Sequence, residues 1–482
     1  MSALIKKTSA ALALMLICLA AGAKLNVKQP YSDGMVLQQN ASAAVKGFAS
    51  PGSQITVTTG WNGRSYRTRT GSDGIWTVKV ATPAASYRSY QVKVSGDGGS
   101  MTIDDVLIGE VWLAGGQSNM EMPVSGFDSC PIDNYLEIIT QAPAREKIRM
   151  FTVPIVESMT PLDACEGKWY GADPATIPSM SATAYFFALK LNTVLDVPIG
   201  IVACPRGGSS VESWLPAEVL SGYPDIDISE AGIAATTPWT RPLVYFNGMF
   251  NPLAGLTAKG IIFYQGCTNV GREDTYAARL TRMVEIWRSM LDDPGSGLPF
   301  YEVEIAPYRY TGGQAGHAAM LRKAQHDAVG MIPRSGIVIT NDLVRDFEID
   351  NIHPGDKQPV GNRLAYLALT KDYGFNIPCI CPEPIRAFRV EGSQAIYVKA
   401  TDCRRGISRN HGVKGLEIAG PDGKFFEVGD VWYDNAQEAL RISSPEVPNP
   451  VAVRYGWGDF VPGNLANRYG LPFSPFNLTV EH

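Results

Sequence analysis

"VWLAGGQSNMEMP", residues 111–123, sets a run of large apolar residues against two glycines and then Gln117, Ser118 and Asn119. Extended backwards, the run reads VLIGEVWLA and predicts a strand buried on both faces. Paired glycines let the backbone turn tightly where the strand ends. Ser118 then opens SNME, and a serine followed three residues later by glutamate is a helix capping box. The same placement exposes a serine at a helix N-terminus, where unbonded backbone N–H groups can stabilise an oxyanion. Both readings predict strand, turn and helix; they differ in whether Ser118 caps or reacts. Asn119-Met120 after the serine does not fit the G-x-S-x-G elbow.

Outward from this stretch, residues 104–375 alternate two kinds of segment. VPIGIVAC, GIIFYQG, LPFYEVEIA and SGIVIT read as buried strands. SATAYFFALKLNTVL, TYAARLTRMVEIWRSML and KQPVGNRLAYLALTK read as helices. Strand alternating with helix predicts an α/β fold, a parallel sheet covered on both faces. Ligands of such sheets gather beyond the C-terminal ends of the strands. Residues 24–103 carry a different texture. SQITVTT, IWTVKVA and YQVKVSG alternate apolar with polar residues, and SPGS, WNG, SDG and GDGG punctuate them. That predicts a small sandwich-like β domain. From 376 to 482 a β texture returns in AIYVKA, KGLEIAG, FFEVGDVWY and VAVRYGW.

Residues 1–23 have the form of an export signal. Lys6 and Lys7 precede an apolar stretch too short to span a bilayer, and Ala21-Gly22-Ala23 offers a cleavage site. The expected location is periplasmic or extracellular, and no other segment is apolar enough to span a membrane. A formal net charge of −5 without a basic cluster argues against a nucleic-acid partner. With Cys18 removed, an odd number of cysteines remains, so at least one thiol stays free or pairs between chains. The Cys379–Cys381 pair has no histidine nearby and does not make a metal site.

A serine nucleophile needs a base. Of the five histidines, only His353 has an aspartate three residues before it, Asp350, in the polar loop EIDNIHPGDKQ. One turn can bring that carboxylate to the imidazole, fixing its tautomer and stabilising the imidazolium. His326, in the helix-like LRKAQHDAV, reads as structural. Two further loops follow predicted strands: RGGSSVESW, with Gly207 and Gly208, and CTN, ending at Asn269. A glycine N–H and an asparagine amide are both suitable oxyanion donors. Each loop alone reads equally as a turn. Together they place Ser, Gly, Asn and Asp-His in order after successive strands.

That order resembles the SGNH hydrolases, and more narrowly the secreted bacterial sialate O-acetylesterases and related carbohydrate acetylesterases. GEVWLAGGQSNMEMPV, RGGSSVESW, YQGCTN and DNIHPGDKQPVGNRLA are similar to that family's four blocks, and YSDGMVLQQ and AVRYGWGDFVPGNLANRYGLPFSPF also fit. The resemblance implies a flavodoxin-like three-layer core flanked by β regions, and serine-dependent ester hydrolysis with no metal or other cofactor. Carried over by position, Ser118 is the nucleophile, His353 the base and Asp350 its partner. The N–H groups of Ser118 and Gly208 and the side chain of Asn269 form the oxyanion hole; the motif alone does not decide between Gly207 and Gly208. Gln117, Arg206, Gln265 and Arg272 are candidate substrate contacts.

Two positions depart from the family pattern. Cys267 stands where a glutamate is usual, and Arg206 where an aromatic is common. Arg206 either meets an anionic substrate or pairs with Glu212. The expected partner is an acetylated sugar, O-acetylated sialic acid first. Acetylated xylan is the alternative, for which Trp214 and Tyr264 are candidate groove aromatics. A non-catalytic glycan-binding protein with a degenerate esterase core is the reading from another class. The sequence is silent on oligomeric state.

Overall fold

The computed structural model describes residues 24–481 except 142–146, 293–296, 311–315, 405, 409–411 and 429–430. The segment expected to direct export, 1–23, lies outside the described residues. Among these, no helix is long and apolar enough to cross a membrane.

The first strands are β1 (Asn26–Val27), β2 (Val36–Gln38), β3 (Ser42–Phe48), β4 (Gln54–Thr59), β5 (Ser65–Arg69), β6 (Ile75–Ala81) and β7 (Ser86–Gly96). One sheet runs β1-β3-β6, and β4 joins β5 and β7 in another. The alternation read from the sequence is visible in burial: in β6, Trp76, Val78 and Val80 point inward and Thr77, Lys79 and Ala81 outward.

β8 (Gly99–Gly116) is where the structure departs from the expected boundary at 103/104. Its first half pairs antiparallel with β7 through Met101–Ile103. Its second half pairs in parallel with β11 (Ile199–Pro205) and β12 (Gly260–Tyr264). One continuous strand therefore belongs to both regions. The burial pattern shows why the sequence divides it: up to Asp105 the residues are exposed or part-exposed save Ile103, and every residue from Val106 onward is buried.

The large sheet also holds β9 (Ile148–Thr152), β10 (Trp169–Gly171), β13 (Phe300–Val303) and β14 (Ser335–Val338), in the order β10-β9-β11-β8-β12-β13-β14. All are parallel except the edge strand β10. The strand order reverses at β8, because the chain lays β9, β10 and β11 on one side of it before crossing to place β12, β13 and β14 on the other. Such a reversal opens a crevice at the strands' C-terminal ends.

The helices are α1 (Ser118–Glu121), α2 (Tyr135–Gln141), α3 (Ala182–Leu195), α4 (Ala217–Leu220), α5 (Glu230–Ala235), α6 (Glu273–Met290), α7 (His317–Met331) and α8 (Lys357–Asp372). Successive strand residues feed opposite cores. Trp112 and Ala114 join Phe187 of α3 and Leu364 of α8 on one face. Val111 and Leu113 join Trp287 of α6 and Leu321 of α7 on the other. The second group merges without a break into the core of the N-terminal sheets, which include Val45, Val57 and Val78.

Beyond α8, two four-stranded antiparallel sheets enclose a separate core containing Ile396, Leu416, Leu440 and Val453. The stretch FFEVGDVWY divides between them, with Phe425–Glu427 in one and Val431–Asp434 in the other. This region supports the large sheet's loops. The Asp459 carboxylate accepts the Ala318 N–H (2.9 Å), and its carbonyl accepts the Tyr308 N–H (3.0 Å).

Candidate active site

Gly116, Pro205 and Tyr264 lie opposite one another, so three loops leave the sheet at one level. Gly116 answers the question raised by the paired glycines. Its φ is +135°, and a Cβ there would sit 2.2 Å from the Tyr264 carbonyl oxygen. Only glycine tolerates both conditions.

Ser118 begins the one-turn helix α1 and is half-buried among buried neighbours. The capping-box alternative is not what forms. The N-cap is Gln117, whose side chain makes no cap; its Oε1 accepts the Gly266 N–H at 2.8 Å instead. Glu121 accepts the Gly207 N–H instead. As the first residue of the helix, Ser118 has no intrahelical acceptor for its own N–H.

His353 arrives from the loop between a 3-10 turn (Asp346–Glu348) and α8. Its N–H donates to Asn351 Oδ1 (3.0 Å), and its ring meets Phe127 edge-on with centroids 5.0 Å apart. Asn119 Nδ2 donates to the Ile352 carbonyl (3.0 Å), strapping the serine turn to the histidine loop. Ser118 and His353 thereby line one cleft of about 370 Å³, together with Arg206, Gly208, Trp239 and Tyr310. No hydrogen bond joins the serine hydroxyl to the imidazole among the described residues. Burial, and then the Lys357 ammonium, push the ring's pKa down to about 4, so at neutral pH the imidazole is uncharged and able to accept a proton.

Asp350 does not occupy the expected position. It is largely exposed and ion-paired with Arg309. Among the described residues no hydrogen bond links it to the His353 ring. Lys357, unremarked in the sequence reading, is buried below the histidine with its ammonium on the Pro354 carbonyl. Burial, opposed by Glu348, holds its pKa at about 7. A lysine at the first position of a helix opposes the helix dipole, and that was the signal available in the sequence.

Behind the opposite wall, lined by Gly208 and Thr268, lies a closed polar network. Asn269 is fully buried. Its Oδ1 accepts the Val211 N–H (3.0 Å) and Gln265 Nε2 (2.8 Å), and its Nδ2 donates to Glu212 (3.1 Å). Glu212, itself buried, pairs with Arg279 at 2.7 Å and faces Arg272 at 3.6 Å. Burial raises the carboxyl's pKa, but Arg272 and then Arg279 outweigh it and leave the group below its ordinary value. Glu212 thus supplies a carboxylate beside Asn269 although Cys267 replaces the family's glutamate. Burial pushes the Cys267 thiol up to about 11, so it is protonated at neutral pH.

The four candidate substrate contacts separate. Gln265 is fully buried and spends its amide on Ser209, Asn269 and Tyr276. Gln117 holds Gly266, and Arg272 turns to Thr268 and Glu212. All three brace the walls. Arg206 alone reaches the cleft with its charge, and it does not pair with Glu212. Its Nε donates to the Tyr245 hydroxyl at 3.2 Å. Trp214 and Tyr264, expected in a groove, are core residues at 0% and 2% exposure. Besides the imidazole the cleft has two aromatics, the part-buried Tyr310 and the 50% exposed Trp239. A lone tryptophan in the polar loop ATTPWTRPL, with no apolar period around it, was its sequence signal.

A hydroxyl and a neutral imidazole sharing a cleft at a sheet's switch point define a hydrolase-type site. Comparison with known proteins makes the class specific: this is a carboxylic ester hydrolase. Residues 108–370 match the family described as carbohydrate esterase, sialic acid-specific acetylesterase, and the chain belongs to that family. It is 28% identical over 396 residues to mouse sialate O-acetylesterase, covering 70% of this chain and 72% of that protein. It is 27% identical over 372 residues to the human sialate O-acetylesterase, covering 71% and 70%. A crystal structure of a carbohydrate acetylesterase from Xanthomonas citri is similar with a TM-score of 0.79 and 32% identity, covering 94% of this chain and 99% of that one.

Proposed function

We propose that the chain is an exported serine esterase that removes O-acetyl groups from carbohydrates, O-acetylated sialic acid first, through an acetyl-serine intermediate. The observation that carries the reading is the meeting of Ser118 and His353 in one open cleft where the strand order reverses. Counting β8, β11, β12, β13 and β14 in chain order, the sheet runs 2-1-3-4-5, which supports a flavodoxin-like SGNH-type core. On this reading 104–375 is the catalytic region, 24–103 and 376–482 are flanking β regions, and 1–23 is the export signal.

His353 takes the hydroxyl proton as Ser118 Oγ attacks the acetyl carbonyl. The carbon becomes tetrahedral and its oxygen negative. The Ser118 and Gly208 N–H groups receive that charge, joined by Asn269 Nδ2, which in the resting structure is turned to both Glu212 oxygens at 3.1 and 3.3 Å. Gly208 is preferred over Gly207 because Gly207 is committed to Glu121, whereas the Gly208 N–H takes no acceptor among the described residues. The C–O bond to the sugar breaks, and the sugar oxygen leaves with the proton from His353. Water, deprotonated by the same ring, then releases acetate and restores the serine. Asp350 completes the triad by exchanging Arg309 for the imidazole once substrate is bound. The forming imidazolium is what attracts it, and only Asn351 and Ile352 lie between the two residues in the loop.

The test is acetate release from O-acetylated sialic acid beside acetylated xylan, with wild type and Ser118→Ala. Release from the sialic acid that disappears in the variant supports the reading. Faster release from xylan transfers it to the polysaccharide. Glycan binding by both proteins without turnover by either would establish the non-catalytic alternative.

A further inference from the structure

We propose that Arg206 and Trp239 form a subsite for an acidic pyranose, with the guanidinium holding the sugar's carboxylate and the indole stacking on the ring. This rests on the esterase reading and names the feature that selects its substrate.

The charge balance of the cleft points to an anion. Among the described residues no aspartate or glutamate lines it, and besides the neutral His353 the basic side chain that lines it is Arg206. The neighbouring carboxylates are already matched. Glu212 faces Arg279 and Arg272, Glu157 pairs with Arg241 at 2.7 Å, and Glu121 accepts a backbone N–H. Arg206 has no carboxylate partner among the described residues. Its orientation is nonetheless fixed. The guanidinium lies over the Tyr245 ring, 5.6 Å from the centroid, with Nε on the hydroxyl. The hydroxyl in turn donates to Glu157 at 3.0 Å. Anchoring through Nε leaves the two Nη groups, which take no partner among the described residues, as the fork that binds a carboxylate in two parallel hydrogen bonds.

Trp239 supplies the second contact. A Cβ on Gly208 would fall 2.3 Å from Trp239 Cδ1, and Gly208 has a φ of +75°, so the ring rests directly on the proposed oxyanion loop. Half its surface is open to solvent, whereas the other tyrosine or tryptophan of the lining, Tyr310, is part-buried. An aromatic face beside the reacting serine suits the C–H face of a sugar.

The experiment compares kcat/KM for O-acetylated sialic acid and for its carboxyl methyl ester, in wild type, Arg206→Gln, Arg206→Lys and Trp239→Ala. Wild type should prefer the free acid, and added salt should erode that preference. Arg206→Gln should lower the acid-to-ester ratio roughly ten- to a hundredfold, mainly through KM, as expected for a charge-assisted bidentate pair. Arg206→Lys should restore the ratio in part. Trp239→Ala should raise KM for both sugars and leave the ratio in place. An Arg206→Gln protein that loses both substrates equally, or neither, overturns the subsite while the esterase reading stands. Wild type that releases acetate from neither sugar overturns both.

Discussion

The two walls of the cleft are built on opposite principles. On one, Asn269, Gln265, Glu212 and Arg279 are buried and bonded to one another. On the other, His353 is half-buried with no hydrogen bond to its ring among the described residues, and Asp350 stands in solvent on Arg309. On the proposed mechanism the first wall faces a charge that develops on a fixed atom, so its dipoles can be oriented in advance and need no reorganisation during reaction. On the same mechanism the second must accept a proton, carry it and return it. A base permanently tied to a carboxylate and a base released from one differ in proton affinity, and this wall retains the choice.

Breaking the second wall should cost most. His353→Ala is expected to lower kcat/KM by about 10⁴-fold or more, with the circular dichroism spectrum unchanged. Asp350→Asn sharpens the contrast: a loss of roughly 10³- to 10⁴-fold means that the carboxylate leaves Arg309 during turnover, and a loss below tenfold means that it does not. The pH profiles give a second measure. The acid limb of kcat/KM, which reports the free enzyme, should lie near the His353 value of about 4. An approaching carboxylate raises the ring's pKa, so the limb of kcat should lie higher in wild type and fall back in Asp350→Asn. Asn269→Ala tests the fixed wall. About 10²- to 10³-fold should be lost from kcat, without displacement of either limb.

The smallest effect on catalysis is expected far from the cleft, at His326 between Glu304 and Glu383. Burial lowers the ring's pKa, but the two carboxylates outweigh it and raise it to about 10. A raised histidine stabilises the fold fully below its unfolded pKa of roughly 6.5, and that stability is lost as pH climbs through about 10. His326→Gln should cost about 3–5 kcal/mol at pH 6 by urea unfolding and progressively less from about pH 6.5 up to pH 10, with turnover at neutral pH nearly unaltered.

What could be read in advance follows the range of the interactions. The strand before Ser118, its glycine turn and the loops carrying Gly208, Asn269 and His353 are local patterns, and the sheet brings them together because parallel strands all end on one side. Asp350 was placed beside His353 by spacing alone. Its partner Arg309 lies 41 residues away, and no local pattern announces it. Glu121 was read as a cap because it stands three residues after Ser118, yet the Gly207 N–H, brought in by a different strand, takes its carboxylate. Trp214 and Trp239 are the same residue type, and only packing tells that the first fills the core and the second meets solvent.

Strand β8 has a mechanical consequence. Eighteen residues of β8 run from the N-terminal sheet to the residue before Gln117, with partners along both halves. The strand is kinked at Asp105, whose φ is +54° and beside which the pairing with β7 slips register. A load applied to the N-terminal region is therefore carried along hydrogen-bonded backbone toward the Ser118 turn, and Asp105 is the point within the strand where it can be absorbed.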